Sequence, residues 1–176
     1  MHSPAAADEI RTTEVGSTPL TYAIRWLSPH RAQVFAYVEI PTSPKKVWAV
    51  CTDYDRLSEF IPNMTASGVI KRNGHLMVLH QEGEIRFPFY RKQMKVTLRV
   101  KEVPPDIIFF ELLEGDFSVY QGSWRLEASD KGTLLITQTI VEPNFWMPQW
   151  VLTEMERQTL KRTFRALIRR CLTPGS

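Results

Sequence analysis

From about residue 64 to about residue 142 the chain reads as strand after strand, with turns between them and no helical period. One long helical pattern follows. That order constrains the fold more than any other feature. Strands joined by short turns form an antiparallel sheet, which twists and curves. The sheet has an apolar face to cover, and only the last helix, about 35 Å long if continuous, is large enough to cover it.

The local signals agree with this layout. In "YRKQMKVTLRVKEV", Met94, Val96, Leu98 and Val100 point one way, while Gln93, Lys95, Thr97, Arg99 and Lys101 point the other. This is the alternation of a half-buried strand with a wet outer face. "ASGVIKR" and "HLMVLHQEG" meet at Asn73-Gly74, a strong hairpin signal. Upstream, "QVFAYVEI" alternates with Val34, Ala36, Val38 and Ile40 on one face. "TSPKKVWAVC" then carries a Thr/Ser cap and Pro44 in its first turn. Asp53 is expected to cap a second short helix, "YDRLSEFI", which gathers Leu57, Phe60 and Ile61 and is stopped by Pro62. In the last helix Val151, Leu152 and Met155 share one face, and Leu160, Phe164, Leu167 and Cys171 share another. Either the helix bends near 157–159, or its two parts pack on different partners.

A chain of 176 residues suits one domain. Residues 1 to about 20 are small, polar and Pro/Ser/Thr-rich, and 1–32 are expected to be a mobile segment with a candidate accessory strand at Tyr22, Ile24 and Trp26. The domain proper is expected over 33–173. With no apolar run near the roughly 18 residues that cross a bilayer, and no apolar leader, the expectation is a soluble, cytoplasmic protein. A net charge of +3 is too small to imply nucleic acid. Arg157, Lys161, Arg162, Arg165, Arg169 and Arg170 read as a solvated helix face near the negative end of the dipole. Cys51 and Cys171 sit in apolar helical patterns and read as buried thiols.

The sequence holds no nucleophile motif and no Gly-rich phosphate loop. His2, His30, His75 and His80 lack zinc-ligand spacing, so neither metal nor cofactor is expected. The weak catalytic candidates are His80 and Glu82, two residues apart on one strand face. If Leu76 and Val78 face inward, this pair projects into apolar surroundings that suit proton transfer. If instead Gly83 marks a bulge, the pair lies near the sheet edge in water, which is the favoured reading. Glu111 and Gln138 are expected outward or hydrogen-bonded. Gly122 gives backbone room, and Trp124 is expected against the last helix, with Tyr120 on the same face.

Strand, two short helices, about six antiparallel strands and one long helix is an order that resembles the START-like superfamily (SRPBCC, Bet v 1-like helix-grip). The residues that carry the resemblance are "VWAVCTDYDRLSEFIPNM", "GDFSVYQGSWRLEA" and "VEPNFWMP", within about Gln33 to Leu172. The chain looks most like the polyketide cyclase/dehydrase and lipid-transport branch, and is similar to coenzyme Q-binding START proteins. The resemblance implies an α+β helix-grip fold, with about six to seven strands wrapped on the last helix. It also implies a cavity for a hydrophobic small molecule: a lipid, an isoprenoid quinone or a polyketide. On that reading Trp48 and Phe60 face the cavity, as do Tyr120, Trp124, Met155 and Phe164. Phe87, Phe89, Phe117, Trp146 and Trp150 lie in aromatic loops that either cap the core or form a mouth able to touch a membrane surface. Two alternatives stay open: an aromatase/cyclase or dehydratase using acid–base groups, and a protein-interaction module.

Overall fold

The computed structural model describes residues 10–88 and 90–174. Nine antiparallel strands form one sheet: β1 (Arg11–Val15), β2 (Thr18–Ser28), β3 (Arg31–Ile40), β4 (Met64–Asn73), β5 (Leu76–Phe87), β6 (Tyr90–Val103), β7 (Ile107–Gly115), β8 (Phe117–Ser129) and β9 (Gly132–Pro143). Their spatial order is β1-β2-β3-β9-β8-β7-β6-β5-β4. A helix α1 (Pro44–Cys51) and a 3-10 helix (Tyr54–Glu59) lie between β3 and β4, and α2 (Gln149–Leu172) follows β9. The helix-grip architecture is as expected, with more strands.

β2 contains the accessory strand expected at Tyr22, Ile24 and Trp26, and β1 joins it, so the described part of residues 1–32 is sheet where a mobile segment was expected. Among the described residues of that segment, β1 and β2 form a hairpin through Gly16, whose φ of 71° suits a glycine. β2 then pairs with β3 along most of its length. Val15, Leu20 and Tyr22 enter the main core. The inward residues are few and widely spaced among threonines and charges, so the segment carries the composition of a loose tail while folding as sheet. Residues 1–9 lie outside the described residues.

The corner between β3 and β4 is built from local chemistry. The Ser43 hydroxyl accepts from the Lys46 N–H, and Pro44 opens α1. Thr52 closes it, its N–H and its hydroxyl both donating to the Trp48 carbonyl (3.0 and 2.8 Å). Asp53 makes no side-chain cap, contrary to expectation; it lies 3.6 Å from Arg56. The fixing bonds come from elsewhere. Asp55 accepts from the Val69 N–H (2.8 Å), and the buried Tyr54 hydroxyl donates to Glu102 (2.9 Å). These tie the 3-10 helix to β4 and β6. After Pro62, Asn63 takes a left-handed turn (φ 64°) that sends the chain into β4.

α2 is one uninterrupted helix whose two halves have different partners. Leu152, Val151 and Met155 pack with Ala32, Val34, Val141 and Met147. Phe164, Leu167, Ile168 and Cys171 join the larger core of α1, β1–β3 and the inner faces of β5–β9. Leu160 touches both groups. Each fully buried side chain of this kind contributes about 1.5–3 kcal/mol. α2 packs on α1, β1 and β3. On the β4–β6 side of the sheet it is held off, and a space remains.

Candidate functional site: a cavity between sheet and helix

The space is a cavity of about 380 Å³, within the size range of small-molecule sites. Its floor is the inner face of the sheet: Leu79, Ile85 and Phe87 of β5, Met94 to Val100 of β6, Ile108 and Phe110 of β7, Phe117, Tyr120 and Trp124 of β8, and Thr137, Thr139 and Val141 of β9. Its roof is α2, from Met155 to Leu167. Cys51, Tyr54, Leu57 and Ile61 close one end. The segment around the helix break is therefore a wall of the cavity. Exposed Pro62, Asn63, Arg86, Thr159 and Arg162 also line it and mark its mouth.

Two features keep the space open. Ladder irregularities at Thr97/Leu98 and Phe117/Val119 bend the floor strands. Aromatic rings also stack along the sheet, and one ring of the sheet stacks flat on a ring of α2. Phe117 stacks on Tyr120 (5.1 Å between centroids), Phe110 leans on Tyr120 (5.2 Å), and Trp124 lies nearly parallel to Phe164 (6.1 Å). Gly122 permits the close packing beneath: a Cβ there would run into the Gln138 carbonyl and meet the Phe110 ring at 2.9 Å.

The residues expected at the cavity divide cleanly. Phe87, Phe117, Tyr120, Trp124, Met155 and Phe164 line it. Trp48 and Phe60 do not. Trp48, on α1, packs against the core, and Phe60 lies beneath the Arg170 guanidinium (5.2 Å). Trp146 and Trp150 are also away from it, 78% and 71% exposed. Phe89 lies outside the described residues. Arg170, expected on a solvated face, also reaches Glu59 (3.7 Å), and Arg162 sits at the mouth.

His80 and Glu82 do not form an interior acid–base pair. The inward set of β5 is Met77, Leu79, Gln81, Ile85 and Phe87, so Leu76 is exposed and His80 is on the outer side. The His80 ring bonds Glu82 (3.0 Å), and Lys95 lies 3.4 Å from the same carboxylate. The His80 bond and the Lys95 charge hold the Glu82 carboxyl below its usual range, the opposite of what a buried proton donor needs. Glu82 reaches only the cavity's edge. Gly83 opposes an irregularity on β4 between Met64 and Ala66, and leaves room for the Asn63 carbonyl, which accepts from the Glu84 N–H (2.8 Å). Glu111 pairs outward with Arg99 (2.7 Å), and Gln138 is exposed.

The ionisable group inside the cavity is one that sequence reasoning missed. Glu156 of α2 lines it, half-buried, and no other described side chain bonds its carboxyl. Burial pushes it up to about 7. Across the cavity, burial and then the Glu156 charge push the Tyr120 phenol up to about 12. A signal existed in the sequence. Leu152, Glu156, Leu160, Phe164 and Ile168 recur every four residues, so an acid interrupts an apolar row. The two thiols are free and buried, and burial raises Cys51 above its ordinary range and Cys171 to about 11. That keeps both in the unreactive thiol form.

Solved structures share this architecture. A STAR-related lipid transfer protein from Xanthomonas axonopodis aligns with a TM-score of 0.74 at 15% identity, over 94% of this chain and 100% of its own. The Zhui aromatase/cyclase of a Streptomyces species aligns with 0.70 at 16%, over 84% and 99%. Human STARD10 aligns with 0.72 at 12%, over 93% and 73%. At such identities the likeness is one of fold. No curated protein matches the chain in sequence. Residues 40–168, from the end of β3 through most of α2, match the family model for polyketide cyclase / dehydrase and lipid transport, and the chain belongs to that family.

Proposed function

We propose that the protein binds and carries a hydrophobic small molecule in the cavity between sheet and α2. The observation that carries this reading is the cavity itself: about 380 Å³, with walls mainly aromatic and aliphatic and a mouth at Pro62, Arg86 and Arg162. Apolar burial supplies most of the affinity and the few polar groups orient the ligand. Lipid transfer and polyketide chemistry both occur among the structural neighbours, and both handle such molecules. Trp146 and Trp150, exposed at the start of α2, suit a transient membrane-surface contact during exchange. Native mass spectrometry of gently purified protein, followed by organic extraction, tests the reading. A co-purifying apolar compound, or saturable uptake of an apolar fluorescent dye, is expected. Protein that is ligand-free and takes up no dye would end it.

One observation favours a second reading, a cyclase or dehydratase. A carboxyl near 7 facing a tyrosine across a largely apolar cavity is suited to moving protons on a polyketone. On this reading Glu156→Gln abolishes turnover of a linear polyketone while leaving its binding intact. Equal turnover in the variant removes Glu156 from any such chemistry.

A further inference from the structure

Glu156 is unusual in where it is and in what it lacks. It occupies a position that the α2 pattern otherwise gives to leucine or phenylalanine, and it faces the cavity. The nearest cation in sequence, Arg157, is bonded to Glu154 (3.0 Å) and does not line the cavity. Arg162 and Arg86 stand at the mouth. Opposite lies a small polar group on the sheet. Tyr120 and Thr139 share the inner face of β8 and β9, set diagonally in the Tyr120–Val141 and Gly122–Thr139 pairs. Around it are Phe117, Phe110 and Trp124, which offer apolar and π surface. Once an apolar occupant fills the cavity and displaces water from this half-buried carboxyl, leaving it without a donor is costly, and an occupant that supplies one removes that cost.

Resting on the carrier reading, we propose that Glu156 selects the polar end of the bound molecule. The cavity takes apolar compounds whose head donates a hydrogen bond to Glu156, an amine, alcohol or phenol, with Tyr120 at the same end. It discriminates against free carboxylic acids, whose charge opposes that of Glu156 and whose oxygens bring no donor. The aromatic rings around the site favour a positively charged head further.

The test measures displacement of an apolar fluorescent dye at neutral pH by decylamine, decanol and decanoate, which share one chain and differ in the head. An apolar cavity alone disfavours any charged head, so the comparison of wild type with Glu156→Leu is the readout. Leucine continues the row of Leu152 and Leu160, so the variant is expected to fold. The substitution is expected to weaken decylamine by about tenfold or more, to weaken decanol less, and to strengthen decanoate. Glu156→Gln is expected to keep decanol and lose the preference for the amine. Affinities for amine and acid that move together in Glu156→Leu, or do not move, overturn the assignment while the carrier reading stands. If neither dye nor any decyl compound binds wild type, both fall.

Discussion

Glu156 couples the cavity to pH. Its carboxyl is raised from 4.5 to about 7 by burial, so the folded protein holds a proton there that the unfolded chain has released. The resulting stability is fully present below pH 4.5 and is lost as pH rises through about 7; above that the whole cost of a buried charge is borne. The cost is roughly 3 kcal/mol at most, because water entering the cavity screens part of it. Glu156→Gln removes the titration. Denaturant melts at pH 5 and pH 8 are expected to give similar stability for the two proteins at the lower pH and a more stable variant at the higher. An equal difference at both values would place Glu156 in water. Gly122 makes a second prediction at this scale. Ala has no space between the Gln138 carbonyl and the Phe110 ring, so Gly122→Ala is expected to cost about 1–3 kcal/mol. Because the displaced groups border the cavity floor, its dye uptake is expected to fall as well.

Among the elements, α2 and β6 were legible because each has one strong period. The alternation of Met94 to Val100 sets the inner face of β6, and the two apolar faces of α2 correspond to its two sets of partners. β5 was ambiguous because Leu76 and Val78 compete with Met77 and Leu79 in an almost continuous apolar run, where period two cannot choose a face. Only pairing with β6 resolves it, setting Met77 opposite Val100 and Leu79 opposite Leu98. β1 was hidden, and β2 showed only as the alternation of Tyr22, Ile24 and Trp26, for a different reason. Their inward residues, Val15, Leu20 and Tyr22, find partners on α2 and β3 that lie far along the chain, and local composition carries no trace of that. The segment's place in the core predicts that Val15→Asp, at a position 1% exposed, costs about 3 kcal/mol or more, read as a shift in urea midpoint. A loose tail would tolerate the change without effect.

At the scale of the whole molecule, sequence order was enough for sheet, grip and helix, because each layer needs the other to cover its apolar face. The distance between the layers was not legible. It depends on ladder irregularities at Thr97/Leu98 and Phe117/Val119, and on rings that stack along the sheet, none of which has a sequence period. The same aromatic residues would serve a filled core. A void kept for a ligand and a void left by poor packing respond differently when filled. Ile85 of β5 is half-buried and faces the cavity. Ile85 also packs on the Val34–Val141 cluster, and Ile85→Phe adds apolar volume on its cavity side, so the ligand-free protein is expected to lose little or no stability in a thermal melt. Dye uptake is expected to fall sharply in the same variant. Stability that holds while binding falls identifies space held open at the expense of packing. A variant that melts early and still takes up dye would mean that the added ring strains the Val34–Val141 cluster and that the ligand lies elsewhere.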